Sequence, residues 1–175
     1  MRSIRLRLGL DTGDPTAAFD LISDFTRYPA IARDVHFVET TPAAEAGAPR
    51  HSEWEVNFRR GIMRWVERET LDRQRLRIEF EQTDGDFEEF SGTWQLALAG
   101  ADEGPTEVDF EVTYDFGIES LAGIMDPIAE RVIKRVVVSV LEELFDGVSV
   151  LEGGEALKDL AEPVRHSDPQ PTGGS

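Results

Sequence analysis

Cysteine is absent from the 175 residues, which removes disulfides, thiolate zinc sites and cysteine nucleophiles from consideration. Lysine is almost absent: Lys134 and Lys158 are the only two, and arginine supplies the remaining cationic charge. That charge is outweighed, 18 Lys and Arg against 35 Asp and Glu, giving a net charge of −17 at pH 7. Nucleic acid and anionic bilayer surfaces both repel a polyanion, so neither is an expected partner, and the acidity is read as a solubility feature. No apolar run reaches the roughly 18–20 residues that a bilayer crossing requires, so no stable membrane insertion is expected. The N-terminus lacks the unbroken apolar core of a signal peptide. It alternates Arg5 and Arg7 with Ile4, Leu6, Leu8 and Leu10 instead, which is a strand pattern, and a cytoplasmic location is the expectation. Histidine is scarce too: His36, His51 and His166 show no metal-ligand spacing, and no metal site is expected. No Ser/His/Asp arrangement, phosphate-binding loop or dinucleotide fingerprint is present.

What the chain does have is alternation. Residues 3–10 predict a first strand. Asp14-Pro15 predicts a helix start, an Asp N-cap followed by Pro at the first helical position, with Ala18, Phe19 and Ile22 turned inward. Tyr28-Pro29 predicts a second short helical turn. Strands follow at 34–41, 52–60, 62–71, 75–83, 88–98 and 106–116, with the Ala-, Pro- and Gly-rich residues 42–50 read as a loop. Each of the later strands carries one apolar and one polar face: Trp54, Val56 and Phe58 oppose Glu53, Glu55 and Asn57, and Val108, Phe110, Val112 and Tyr114 oppose Glu107, Asp109 and Glu111. This is the signature of an antiparallel sheet with one wet side. The acidic strip at 107–111 is read as part of that solvated face.

The last third changes period. Ile128, Val132, Ile133, Val136, Val140, Leu141, Leu144, Phe145 and Val148 fall at the three-and-four spacing of a helix burying one face. A long helix is therefore expected from about Pro127 to Val150, preceded by a break at Pro127. A long helix laid across a curved antiparallel sheet encloses a space between the two. The fold expectation is α+β, with six to seven strands around one long C-terminal helix and two short helices after the first strand. Residues 1–152 are expected to form one domain, and 153–175, ending in a Pro-, Gly- and Ser-rich stretch, a largely disordered tail.

This order, with Ala18-Phe19-Asp20-Leu21-Ile22-Ser23-Asp24 before Tyr28-Pro29, Val56-Asn57-Phe58 through Arg64-Trp65 to Thr70-Leu71-Asp72, Phe87 through Gly92-Thr93-Trp94, and Val108-Asp109-Phe110-Glu111, resembles the helix-grip fold of the START-like superfamily. Within it, the chain is similar to the polyketide cyclase/aromatase and coenzyme Q-binding branch over about residues 3–150. The resemblance implies an internal cavity for a hydrophobic ligand: an isoprenoid quinone or other lipid in some members, a poly-β-keto chain that is folded and dehydrated in others.

The strand at 62–71 is ambiguous in parity. One face is Ile62, Arg64, Val66 and Arg68; the other is Met63, Trp65, Glu67, Glu69 and Leu71. Neighbouring charge decides it: Arg64 and Arg68 find cross-strand partners on the wet faces of the adjacent strands, and the resemblance also places Trp65 toward the cavity. Glu67 and Glu69 then point inward, roughly 6.5–7 Å apart along the strand. Two such carboxyls in an apolar cavity have raised pKa values and suit proton abstraction at an activated methylene and protonation of a departing hydroxyl. Alternatively, both lie at an open rim, solvated or paired with Arg60. The resemblance leads one to expect an inward arginine on this strand, where this chain has glutamate. Arg60 shares parity with Trp54, Val56 and Phe58 and is the candidate inward cation for a carboxylate, an enolate or a polarised carbonyl. Tyr28 either donates to the ligand or caps the sheet edge. Trp54, Phe58, Trp65, Phe80, Phe90, Trp94 and Tyr114 are either ordinary core or the wall of a pocket for a flat or polyene ligand.

Three functions fit. The first is a cyclase or aromatase-like enzyme acting on a hydrophobic poly-keto or aromatic intermediate by aldol cyclisation and dehydration, with Glu67 and Glu69 as acid/base groups and Arg60 and Tyr28 as orienters; proton transfer alone suffices, and no cofactor is implied. The second is a non-catalytic carrier of a quinone or other lipid. The third is a protein assisting a partner such as a carrier protein, reductase or synthase, drawn in by its acidity.

Overall fold

Period-two alternation builds one continuous antiparallel sheet in the computed structural model, which describes residues 1–59 and 61–157. Its strands are β1 (Arg2–Leu10), β2 (Val35–Thr41), β3 (Arg50–Phe58), β4 (Gly61–Asp72), β5 (Arg77–Gly85), β6 (Glu89–Leu98), β7 (Thr106–Asp115) and β8 (Val148–Glu152), in the spatial order β2-β3-β4-β5-β6-β7-β1-β8. Sequential neighbours pair from β2 to β7, and β1 then closes onto β7. Between β1 and β2 lie α1 (Pro15–Ile22), a 3-10 turn (Phe25–Arg27) and α2 (Tyr28–Ile31). Asp14 caps α1 as its sequence requires, accepting from the Ala17 backbone N–H at 3.0 Å with Pro15 at the first helical position. The architecture is the expected α+β grip of a curved sheet on a long helix.

That helix, α3 (Glu119–Leu144), departs from expectation at both ends. It begins a full two turns before Pro127, which sits inside it. Proline removes one donor from the ladder, leaving the carbonyl four residues back without its intrahelical partner; that residue is Gly123, which is exposed, so water can serve the group. The helix ends at Leu144, where Phe145 turns extended (φ −132°, ψ 146°). Residues 148–152, expected as the helix end, form β8 on the free edge of β1. The β-branched Val148 and Val150 after Gly147 favour a strand, and pairing with β1 satisfies backbone that a longer helix would have left facing an open edge. The sheet thus has eight strands rather than six or seven. The tail expected at 153–175 lies, from residue 158 onward, outside the described residues, as does Arg60.

The inward face is continuous. Ile4, Leu6, Leu8 and Leu10 of β1, Trp54, Val56 and Phe58 of β3, Ile78 and Phe80 of β5, Phe90, Trp94 and Leu96 of β6, and Val108, Phe110, Val112 and Tyr114 of β7 are all buried. Against them α3 buries Ala129, Val132, Val137, Val140 and Leu141. Each fully buried leucine or isoleucine here contributes about 2 kcal/mol of transfer free energy. The Tyr114 hydroxyl donates to the Asp126 carbonyl at 2.7 Å, so the sheet holds the helix just before its proline. One charged residue of α3 is also buried: Lys134, which donates to Glu130 at 3.1 Å, while Arg2 of β1 bonds the same carboxylate at 3.0 Å. The outer face is laced with exposed pairs such as Arg5–Asp109 and Arg7–Glu107, so the acidic strip of β7 is the solvated face the alternation predicts. Such exposed pairs contribute little to stability.

Two glycines separate packing from propensity. A methyl group on Gly92 of β6 would lie 2.2 Å from the Glu111 carbonyl and 2.5 Å from the edge of the Phe80 ring, so β7 would have to move. Gly123 of α3 has nothing within 4 Å. Gly92→Ala is expected to lose about 2–3 kcal/mol of unfolding free energy by overpacking, and Gly123→Ala to gain about 1 kcal/mol as a helix former. Urea unfolding of both variants checks the pair, and equal effects would contradict this packing.

Candidate functional site

The ladder between β3 and β4 sets the site. Trp54 faces Trp65, Ser52 faces Glu67, and Arg50 faces Glu69 in register. All six lie on the inward face by alternation. Trp65, Glu67 and Glu69 are buried while Arg64 and Arg68 are exposed, which is the parity that neighbouring charge predicts. Arg64 pairs with Glu55 at 3.1 Å and Arg68 with Glu81 across the next strand. A register shift between Val66 and Glu67 in the β4–β5 pairing twists β4 beside the carboxyls. Gly85 lies opposite Trp65 there; a methyl group on it would sit 2.5 Å from the tryptophan Cβ.

Glu69 has no solvent exposure and Glu67 only 3%. Glu69 is held as an ion pair: Arg50 Nε donates to its Oε1 at 2.7 Å and Ser52 Oγ donates to the same oxygen at 2.8 Å. Arg50 also donates to the Ser23 carbonyl at 2.8 Å and stacks its guanidinium over Phe25, 4.7 Å from the ring centre. Trp65 Nε1 donates to Glu67 Oε1 at 2.8 Å. No cation in this set touches Glu67. Burial, first, and then the neighbouring Glu69 charge push its pKa well above the ordinary value of about 4.5, and the Trp65 hydrogen bond and the Arg50 charge only partly oppose them.

Glu67 opens onto a partly open cavity between the sheet and α3. Its walls are Trp54, Val56 and Phe58 of β3, Trp65 of β4, Phe80 of β5, Phe87, Phe90 and Trp94 from the β5–β6 region, Phe110 of β7, Phe25 and Tyr28 from the short helical segments, and Ile133, Val136 and Val137 of α3. Among the described residues, Glu67 is the one ionisable carboxyl in this wall. Trp54 and Trp65 stack with parallel planes (4°) at 5.7 Å, Phe25 and Tyr28 meet Trp54 edge-on, and Phe90 meets Trp65 at 5.0 Å. The free space is about 60 Å³, below the roughly 300–1,000 Å³ of pockets that hold drug-sized ligands. Even a single aromatic ring, which an apolar cavity of about 150 Å³ accommodates, requires the walls to part, and a polycycle requires more. A larger hollow of about 610 Å³ lies on the outer face of the sheet, lined chiefly by Arg68, Thr70, Glu79, Glu81, Thr93, Glu111 and Thr113. It is open and polar, and offers an apolar ligand nothing.

The residues expected at the site are thus placed unevenly. Trp54, Phe58, Trp65, Phe80, Phe90, Trp94, Tyr28 and Glu67 line the cavity. Glu69 lies behind Glu67 rather than in the wall. Tyr28 is fully buried and its hydroxyl proton is committed to the Ile22 carbonyl at 2.6 Å; burial raises its pKa well above 10, so its ring faces the cavity while its hydroxyl serves the α1 end. Tyr114 is outside the wall, spent on α3. Arg60 lies outside the described residues. Sequence reasoning missed Arg50, which the loop reading of 42–50 removed from β3. Extending the inward parity of Trp54 back through Ser52 reaches it. Phe25 and Phe87 were not singled out for the cavity either. Among the described residues no cluster of His, Asp and Glu could hold a metal, and no helix is long and apolar enough to cross a membrane.

The sequence matches the family model described as polyketide cyclase/dehydrase and lipid transport over residues 13–140, well over half the chain. The chain belongs to this family. No curated protein matches it. Solved structures share the fold: TTHA0849 from Thermus thermophilus (TM-score 0.69, 24% identity, 81% of this chain and 92% of that one) and the Zhui aromatase/cyclase from Streptomyces sp. R1128 (0.63, 19%, 81% and 92%). A START superfamily protein from Mycobacterium smegmatis superposes at 0.64 with 14% identity over 82% and 97% of the two chains. At these identities the likeness carries the fold, and the family brings with it a hydrophobic ligand for the cavity.

A raised carboxyl pKa has a definite sign in stability. Between its unfolded and folded values the native state holds a proton that the unfolded chain has lost. Stability therefore falls as pH rises from about 4.5 toward the folded value. Glu67→Gln, which keeps an acceptor for Trp65, is expected to match the parent at pH 4 and to exceed it at pH 8. Urea midpoints across that range decide it, and parallel curves would mean that Glu67 carries no such shift.

Proposed function

We propose that the protein binds a hydrophobic poly-keto or aromatic intermediate in this cavity and promotes its aldol cyclisation and dehydration through Glu67. The observation that carries the reading is one buried carboxyl, its pKa pushed up by burial and by the neighbouring Glu69 charge, set among the described residues in an otherwise apolar aromatic wall. In the first step the enol carbon of the substrate attacks a ketone carbon. Glu67 gives its proton to that ketone oxygen, and the enol hydroxyl returns one to Glu67. In the second step the new hydroxyl leaves as water with the Glu67 proton, while the carboxylate takes the α-hydrogen. Each step returns the carboxyl to its starting state and needs no other co-reactant. Glu69, anchored by Arg50 and Ser52, sets where the shared proton rests. The aromatic walls hold the reacting chain folded and exclude water. Arg60 remains a candidate orienter, and a cytoplasmic site of action suits a chain with this charge.

The alternative, a carrier for a quinone or other lipid, is favoured by one observation: among the described residues, every other wall residue is apolar or aromatic. The two readings separate in one experiment. A linear aryl triketone able to close by intramolecular aldol reaction is incubated with the protein, and aromatic product is followed by absorbance. The enzyme reading expects acceleration over buffer and a loss on the order of 10²-fold in kcat for Glu67→Gln with KM little changed. No acceleration, together with an isoprenoid quinone or lipid extracted from the purified protein, would sink it in favour of the carrier.

A further inference from the structure

Trp54 and Trp65 occupy opposite positions in the β3–β4 ladder and stack in parallel, yet their indole N–H groups fare differently. Trp65 Nε1 donates to Glu67 Oε1 at 2.8 Å. Trp54 Nε1 is buried and has no partner, although the residue is 93% buried and lies in the cavity wall beside Glu67. A buried donor left unmade costs free energy that a phenylalanine in the same place would not incur. Ser52 Oγ serves Glu69, the Tyr28 hydroxyl serves Ile22, and Glu67 Oε1 receives Trp65, while Glu69 Oε2, the buried acceptor left without a partner among the described residues, lies behind the wall. The donor therefore has its use in what enters the cavity.

We propose that Trp54 Nε1 is a specificity-determining donor that reads an oxygen substituent on a planar ligand, selecting a ring that bears a hydroxyl or ketone over a purely hydrocarbon one. This rests on the cavity being the ligand site, as proposed above, and deepens it by naming the ligand class. The indole stacks on Trp65, whose own N–H holds the Glu67 carboxyl, and Trp54 and Glu67 line the same cavity, so an oxygen held by Trp54 shares that space with the proton of Glu67. A saturated lipid tail has no atom for that donor. A phenol, an enol or an aryl ketone has one.

The probes are p-cresol and p-xylene, single rings of nearly equal shape that differ by a hydroxyl against a methyl group. Binding is followed by titration calorimetry and by the three indole N–H resonances in ¹H–¹⁵N spectra, with Trp54→Phe assigning the one that belongs to Trp54. The expected result is that p-cresol moves the Trp54 resonance downfield and p-xylene does not. Trp54→Phe should weaken p-cresol about fivefold relative to p-xylene, the scale of one neutral hydrogen bond. Retained p-xylene binding by the variant shows that the cavity has survived the substitution. Binding of both probes with no difference between parent and variant overturns the donor role but leaves the cavity reading standing. So does a Trp54 resonance unmoved by p-cresol, as a buried water on the indole would produce. Failure of the parent protein to bind either probe overturns the cavity reading and this inference with it.

Discussion

A carboxylate with no contact to solvent has to be neutralised from within the fold, and the Arg50–Glu69 pair meets that requirement. The cost of leaving either charge alone in this interior is several kcal/mol, so what keeps the two together is held firmly. The pair sits in the β3–β4 register, where Arg50 and Glu69 are directly opposed. A slip of one residue would turn Glu67, Glu69 and Trp65 to the solvent face and bring Arg64 and Arg68 inside. Arg50 also reaches beyond the sheet: it bonds the Ser23 carbonyl and lies over Phe25. One ion pair therefore ties β3 to β4 and ties both to the turn between α1 and α2, whose Phe25 and Tyr28 form part of the cavity wall.

The same pair makes the two glutamates unlike each other, although they are two residues apart on one strand. Glu69 has an arginine and a serine on one oxygen. Glu67 has only an indole N–H, and the charge of Glu69 nearby. Only Glu67 has its pKa pushed up by burial and by the neighbouring charge, while Glu69 is paired with a cation, an arrangement that can separate acid from counter-charge. The group with the raised pKa is also the one that opens to the cavity. Position and proton affinity agree, and this coincidence, more than the presence of two acids, gives the site chemical potential.

Most of the scaffold was legible because alternation is a two-state signal and the strands carry it cleanly. Even β4, where hydrophobicity was silent, yielded to the charges on its neighbours, since Arg64 and Arg68 needed Glu55 and Glu81. What was not legible has physical reasons. Pro127 reads as a break, but a proline is tolerated inside a helix when the carbonyl it strands faces water, as at Gly123. Val148 continues the helical stripe in spacing, yet the free edge of β1 offers its backbone better partners, and edges are not visible in a linear sequence. Arg50 hid at the end of a Pro/Gly-rich loop, where composition outvoted parity. Tyr114 and Tyr28 looked like pocket residues because their rings are inward, while the destinations of their hydroxyls are backbone carbonyls that only tertiary structure brings near.

The resemblance to cyclases directs attention to an inward arginine on β4, and this chain has glutamate there. The arginine is not missing. It enters from the facing position on β3, already engaged with the glutamate that took its place. An arginine in the wall could meet a substrate carbonyl or enolate directly; Arg50 stands outside the wall, with Nε on Glu69 and Nη1 on the Ser23 carbonyl, and leaving that place would strand a buried carboxylate. Among the described residues, the proposed catalysis therefore falls to the Glu67 carboxyl, with Arg60 left as the candidate cation. A carboxyl whose pKa is pushed up asks of the substrate an uncharged oxygen rather than an anion, which is what an otherwise apolar cavity admits at least cost.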